Sequence, residues 1–131
     1  MEIRIDPDDT VPIYLQIVHA IKHQVATGRL KPSEQLPTVR ELAADLRLNP
    51  NTVARAYDQL DGDGVISTQQ GRGTYVRERP DAKHLMRVRQ EQLKAMMDNV
   101  VGKALSLGYS AEEVRAAFDT QWERWKHAQK K

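Results

Sequence analysis

The sequence predicts a mainly α-helical fold with one small β-hairpin, and three patterns along its 131 residues support this class. Near the N-terminus, apolar residues recur at the spacing of one helix face. Two short helical segments then follow each other across a break at Asn49 and precede a glycine-containing hairpin. Beyond Pro80, the pattern is again purely helical. This order predicts a winged helix–turn–helix followed by a two-helix C-terminal tail.

The first helix is predicted over about residues 12–27. Pro12 suits its first turn, and Thr27-Gly28 supplies its end. Its apolar residues fall at i, i+3, i+4, i+7 and i+11: Tyr14, Ile17, Val18, Ile21 and Val25. The next segment contains two prolines and is predicted as a connector with a very short strand near Gln35-Leu36.

Two capping signals predict the helix–turn–helix. Thr38 and Glu41 have the spacing of a capping box, so a helix is expected to begin there and to end near Arg47. Asn49-Pro50 offers a good N-cap followed by proline in the first helical position, which predicts a third helix over about 50–62. The residues predicted to face inward from this helix are Val53, Ala56, Tyr57 and Leu60.

The hairpin and the tail complete the chain. Val65–Gln69 and Thr74–Arg77 favour β-structure and flank a turn with two glycines. A helix is predicted over about 82–107, with Gly108 as its C′ residue. Its apolar face comprises Leu85, Met86, Leu93, Met96, Met97, Val100, Ala104 and Leu107. A second capping box, Ser110 to Glu113, opens a last helix whose apolar stripe is Val114, Phe118, Trp122 and Trp125.

Composition excludes several classes of protein. Because there is no cysteine, no disulfide, thiolate zinc site or cysteine nucleophile is possible. The sequence also lacks G-x-S-x-G, H-E-x-x-H and P-loop motifs, so neither an enzyme nor a cofactor is expected. No secretory signal and no apolar run of about 20 residues are present, which predicts a soluble, cytoplasmic protein.

Two side-chain groups could bind ligands but have simpler explanations. His19 and His23 are four residues apart, a spacing that can chelate a metal, but no carboxylate or cysteine lies at ligand spacing. A solvated pair without metal is therefore predicted. Met96-Met97 and the pair Trp122 and Trp125 could line an effector pocket, although their helical spacing favours a core or a dimer interface. An effector is not required but is left open.

Bulk charge does not predict nucleic-acid binding. Residues 1–80 contain ten basic and eleven acidic residues and carry a net charge of −1, whereas residues 81–131 carry +3. The prediction must rest on placed residues. The second helix of a helix–turn–helix can enter the major groove, and a hairpin tip can reach the backbone or minor groove nearby. The positions predicted to face DNA are Thr38, Arg40, Asn51, Thr52, Arg55, Gly71 and Arg72.

Each of these positions also has a structural explanation. Arg40 and Arg55 could be solvated helix residues, since Glu41 and Asp58 are near in sequence. Asn51 and Thr52 suit a helix start, and the glycines of the hairpin suit a tight turn. Winged helices also serve as protein–protein docking modules, which is the alternative function. A docking module needs no arginine on the third helix or at the wing tip, whereas this chain has both.

The same residues resemble a known family. The motifs that carry the resemblance are Pro12-Ile-Tyr-Leu-Gln-Ile, Gly28-Arg-Leu-Lys-Pro, Leu36-Pro-Thr-Val-Arg-Glu-Leu-Ala, Asn49-Pro-Asn-Thr-Val-Ala-Arg-Ala-Tyr, Gly64-Val-Ile and Gly71-Arg-Gly-Thr-Tyr-Val. In order and spacing, about residues 10–77 resemble the DNA-binding domain of GntR-family bacterial transcription regulators, and the short helical tail resembles the YtrA subfamily.

The resemblance implies a dimeric repressor of an operon that includes its own gene and ABC-type transporter genes. It also implies that the seven positions named above contact double-stranded DNA. On this basis we expect a DNA-binding domain over residues 1–79 and a two-helix dimerisation domain over 80–131. A twofold dimer in turn predicts an inverted-repeat operator.

Overall fold

The computed structural model describes residues 1–129, which form five α-helices and a three-stranded antiparallel sheet. In chain order, the elements are α1 (Ile13–Ala26), β1 (Gln35–Leu36), α2 (Val39–Leu46), α3 (Pro50–Gly62), β2 (Ile66–Gln69), β3 (Gly73–Val76), α4 (Ala82–Ser106) and α5 (Ala111–Gln129). The predicted fold class, a winged helix–turn–helix with a helical C-terminal region, is confirmed. None of the described helices is both long and apolar enough to span a membrane.

Local capping sets the limits of the helix–turn–helix. The Thr38 hydroxyl accepts a hydrogen bond from the Glu41 N–H at 3.1 Å, and the Glu41 carboxylate accepts one from the Thr38 N–H at 3.2 Å. Arg47 ends α2 in the left-handed conformation, with a φ of 56°. Asn49 then caps α3 by accepting from the Asn51 N–H at 2.9 Å. The capping box and the N-cap are therefore confirmed.

The hairpin strands β2 and β3 form one sheet with the short first strand, in the order β1-β3-β2. Gln35 pairs with Tyr75, and Ile66 pairs with Val76. The position of the strand at 35–36 is confirmed. Its pairing with β3 joins the connector before α2 to the β2–β3 hairpin, which is the wing. This pairing supports the wing along its length, leaving the turn at 70–72 exposed.

The chain divides into two compact units, Met1–Arg89 and Gln90–Lys131, the last two residues of which lie outside the described part. All four predicted inward residues of α3 are buried in the first unit, together with α1 and sheet residues. Leu85, which the sequence analysis assigned to the apolar face of the tail, is 4% exposed and packs in this same core. The first unit therefore extends to Arg89, and its boundary with the second unit falls inside α4.

A charged side chain is buried in the first unit. Lys22 of α1 is 4% exposed, and its Nζ lies 2.7 Å from Asp63 Oδ2 at the end of α3. The same ammonium lies 3.0 Å from Nε2 of His84 in the first turn of α4. Because lysine has only N–H donors, both partners accept from it. One buried ammonium thus joins α1, α3 and the start of α4.

Asp63→Asn is expected to lower the free energy of unfolding by about 3 kcal/mol, because it leaves the buried ammonium without its counterion. Lys22→Met should cost about 1 kcal/mol or less, since the aliphatic stem is kept and Asp63, whose side chain is 30% exposed, regains water. Urea unfolding of both variants measures this difference. Equal losses would show that packing, rather than charge burial, governs this site.

The two histidines of α1 are partly buried, so the prediction of a solvated pair is wrong. Burial lowers the pKa of His19 below its ordinary value of 6.5, and the positive charges of Lys22 and His23 add to this effect. Burial also lowers the pKa of His23, with a further contribution from Arg89. Within residues 1–129, no group of three or more His, Asp or Glu side chains is placed to hold a metal ion.

These lowered pKa values predict a pH-dependent stability. As the pH falls below about 6.5, the unfolded chain takes up protons that His19 and His23 resist in the folded state. The free energy of unfolding should therefore decrease over this range and be greatest above it. Urea unfolding about one pH unit above and below 6.5 measures the slope. The double variant His19→Gln/His23→Gln should show a flatter slope, and an unchanged slope would assign the effect to other groups.

Ser110 and Glu113 form the predicted capping box at the start of α5. The Glu113 carboxylate accepts a hydrogen bond from the Ser110 N–H at 3.0 Å, and the Ser110 hydroxyl accepts one from the Glu113 N–H at 3.1 Å.

The second unit exposes most of its large apolar residues. The rings of Phe118 and Trp122 stack with centroids 6.3 Å apart. Side chains that are half-exposed or more include Leu93, Met96, Val100, Leu105, Leu107, Tyr109, Phe118, Trp122 and Trp125. In the single chain, Phe118, Trp122 and Trp125 of the predicted α5 stripe are exposed, whereas Val114 is partly buried.

Candidate nucleic-acid interface

The N-terminal half of α3 presents three of the predicted DNA-facing residues. Asn51 and Arg55 are exposed, and Thr52 is partly buried. The opposite side of the helix carries its four buried apolar residues, so α3 is anchored along one face and open along the other. A helix held in this way can enter a major groove without losing its packing in the core.

Arg55 makes a contact that the sequence analysis did not predict. Its guanidinium carbon lies 3.8 Å from the centroid of the Tyr14 ring in the first turn of α1. This distance is typical of a cation–π interaction. Within the described residues, Arg55 forms no ion pair with Asp58 or with any other carboxylate. The structure therefore does not support neutralisation of Arg55 by Asp58.

The start of α2 is held by a tyrosine from α3. Tyr57 donates a hydrogen bond from its hydroxyl to the Pro37 carbonyl at 2.7 Å. Burial, followed by the nearby charge of Glu41, raises the pKa of Tyr57, so the hydroxyl remains a donor at neutral pH. Thr38 and Arg40 follow Pro37 directly and are both exposed. Through Tyr57, the buried side of α3 thus positions the start of α2, where Thr38 and Arg40 are located.

The wing tip has a similar support. Tyr75 of β3 donates a hydrogen bond from its hydroxyl to the Arg72 carbonyl at 3.0 Å, while the Arg72 side chain is exposed. Gly71 has a φ of 79°, a conformation that suits glycine in this turn. Gly73 has a φ of 116°, which also favours glycine, and a Cβ there would lie 2.8 Å from the end of the flexible Gln35 side chain. Both glycines therefore serve the turn, and Gly71 and Arg72 at its tip are exposed.

Three of the predicted contact residues are exposed arginines. Within residues 1–129, the side chains of Arg40, Arg55 and Arg72 form no ion pairs, whereas Lys22 and Arg77 pair with Asp63 and Asp61. Three exposed arginines, one on each of α2, α3 and the wing tip, therefore keep their full charge for an anionic partner. Because residues 1–80 carry a net charge of −1, support for an anionic partner comes from the position of these arginines and not from bulk charge.

Two contacts of the first unit, those of Tyr14 and Lys22, are not predicted from the sequence. Tyr14 was assigned only to the apolar stripe of α1, and nothing in the spacing of α1 and α3 indicates its contact with Arg55. Lys22 was counted only as a charge, although it follows Val18 by four residues and so borders the apolar stripe. This spacing places Lys22 at the edge of the core, but its partners Asp63 and His84 are given only by the structure.

The fold and the arginine placement define a winged-helix DNA-binding protein. Residues 13–76 match the sequence profile described as bacterial regulatory proteins, gntR family. The HTH-type transcriptional repressor YtrA of Bacillus subtilis (strain 168) is 43% identical over 98 residues, which cover 72% of this chain and 75% of that repressor. The chain belongs to the GntR family and is a DNA-binding regulator. The predicted family and the resemblance to YtrA are confirmed.

Solved structures share the fold. A GntR family transcriptional regulator from Listeria monocytogenes is 34% identical with a TM-score of 0.64, and the match covers 86% of this chain and 97% of that protein. The DNA-binding domain of AraR, solved in complex with operator ORX1, is 25% identical with a TM-score of 0.52. That match covers 58% of this chain and 95% of the AraR domain.

Proposed function

We propose that this protein is a homodimeric, cytoplasmic transcriptional repressor that binds an inverted-repeat operator. Its regulated genes are an operon that includes its own gene and transporter genes, and it acts by binding DNA rather than by catalysis. The observation that carries the proposal is the set of exposed arginines without ion pairs, Arg40, Arg55 and Arg72, on α2, α3 and the wing tip. The similarity to the transcriptional repressor YtrA of Bacillus subtilis and to the operator-bound AraR domain supports it.

Each predicted contact residue has a role in this proposal. Arg55 reads a guanine edge in the major groove, with Asn51 and Thr52 beside it near the start of α3. Arg40 and the hydroxyl and free amides near Thr38 contact phosphates and set the register of the helix. Gly71 lets the backbone of the wing approach the duplex, and Arg72 adds a positive charge there.

The second unit supplies the dimer. Ten large apolar side chains of residues 90–129 are more than a third exposed in the single chain, and they include three aromatic rings on α5. Large apolar side chains exposed in this number are typical of a region that contains an interaction face. Pairing with a second copy covers it by an isologous interface, which also relates two recognition helices by one twofold axis. No effector is needed for DNA binding in this arrangement.

Selection of bound sequences from a random duplex pool tests the proposal. We expect an inverted repeat whose half-site centres are separated by about 10–10.5 base pairs or a multiple of this distance. Inserting about five base pairs between the half-sites should weaken binding, because it turns one half-site to the opposite face of the duplex.

Salt dependence provides a second measurement. Binding should weaken steeply as salt rises, because the arginine–phosphate contacts release counterions. If the selection enriches no sequence and retention on DNA is insensitive to salt, the protein is a docking module and the proposal is overturned.

A further inference from the structure

Tyr14 and Arg55 come from helices that are far apart in sequence but pack together in the first unit. Tyr14 lies in the first turn of α1 and is partly buried, whereas Arg55 lies in the second turn of α3 and is exposed. The guanidinium carbon is 3.8 Å from the centre of the tyrosine ring. The partly buried ring therefore holds the end of an otherwise solvent-exposed side chain.

This contact restricts Arg55 without using its hydrogen-bond donors. A stacked guanidinium meets the ring with its face, while its N–H groups point outward in its own plane. Those donors are the ones that form a bidentate contact with O6 and N7 of guanine. An unsupported arginine loses rotamer entropy when it is ordered on DNA, and a preformed stack removes part of that cost from binding.

We propose that Tyr14 is a positioning residue for Arg55 and that its ring face increases both affinity and base preference at the operator. This inference rests on the proposed role of Arg55 in reading DNA. The ring, not the hydroxyl, is the acting group, because the contact is made to the ring face and no hydrogen bond of the Tyr14 hydroxyl occurs within the described residues.

Operator affinity of the full-length protein tests the inference. Tyr14→Leu should weaken cognate binding about three- to tenfold, as expected from the loss of a cation–π contact. It should also reduce the preference for the cognate base at the position that Arg55→Ala affects. Tyr14→Phe keeps the ring and is the matched control, with an affinity within about twofold of the parent protein. Thermal melting of each variant establishes that it is folded.

A double-mutant cycle separates positioning from support of the helix. In the Arg55→Ala background, Tyr14→Leu should have little further effect on affinity, because the side chain that it positions is absent. Equal losses from Tyr14→Leu with and without Arg55 would assign Tyr14 a purely structural role and overturn the inference. Tighter binding by Tyr14→Leu would also overturn it, because the ring would then be holding Arg55 away from DNA.

Two remaining outcomes identify which assumption is at fault. If Tyr14→Phe loses as much affinity as Tyr14→Leu, the hydroxyl acts and the stacking mechanism is wrong. If Arg55→Ala itself leaves affinity and base preference unchanged, the proposed reading role of Arg55 fails, and the inference fails with it. If Arg55→Ala lowers operator affinity and Tyr14→Leu does not, the inference about Tyr14 is overturned while the reading role of Arg55 stands.

Discussion

Phe118→Glu/Trp122→Glu is expected to convert the proposed dimer to a monomer and to lower affinity for the complete operator by at least about 100-fold. The two rings stack on the exposed face of α5, and two carboxylates there cannot be buried against a second copy. A dimer binds its second half-site from a high effective concentration, and a monomer loses this advantage. Light scattering reports the mass, and titration of labelled operator reports the affinity.

The matched control places the same charges on the other side of α5. Ala116→Glu/Thr120→Glu has the same spacing, and both positions are exposed but lie off the apolar stripe. This variant should remain dimeric. Affinity for an isolated half-site should be nearly the same for both double variants, since neither alters the first unit. A Phe118→Glu/Trp122→Glu protein that is still dimeric would place the dimer interface outside this stripe.

Arg55→Ala is expected to cost about 1–3 kcal/mol on the cognate site and to relax preference at one base pair in each half-site. Its guanidinium carbon lies 3.8 Å over the Tyr14 ring and the side chain forms no ion pair in the described part of the chain, so its donors are available for a base edge. Titration of the cognate duplex, single-base variants and random DNA measures both effects.

Two other arginines provide the comparison. Arg40→Ala should weaken binding to all sequences more evenly, because phosphate contacts position the protein without reading the bases. Arg29 is exposed and follows the C-terminal end of α1. Near this end of α1, Lys22 contacts Asp63 after the last residue of α3, so Arg29 lies away from the start of α3. Arg29→Ala should therefore leave binding nearly unchanged. An Arg55→Ala variant that loses as much on random DNA as on the cognate site would show that another residue reads the sequence.

Short-range sequence signals determined most of the element boundaries. Thr38 with Glu41 and Asn49 with Pro50 each act within one helical turn, and the structure begins α2 and α3 at the predicted residues. The buried residues of α3 could also be predicted from the sequence, because helical periodicity places them on one face wherever the helix is located. The family, too, follows from motifs that are contiguous in sequence.

The tertiary structure alone decided which residues from different elements meet. Leu85 fits the apolar periodicity of the tail, but it packs in the core of the first unit. Lys22 forms an ion pair with Asp63 and a hydrogen bond with His84, and the Tyr14 ring of α1 contacts the Arg55 guanidinium of α3. Periodicity defines the face of a helix on which a residue lies, but not the partner of that face. The partner depends on how the helices pack, and this arrangement minimises the free energy of the whole core rather than that of any one segment.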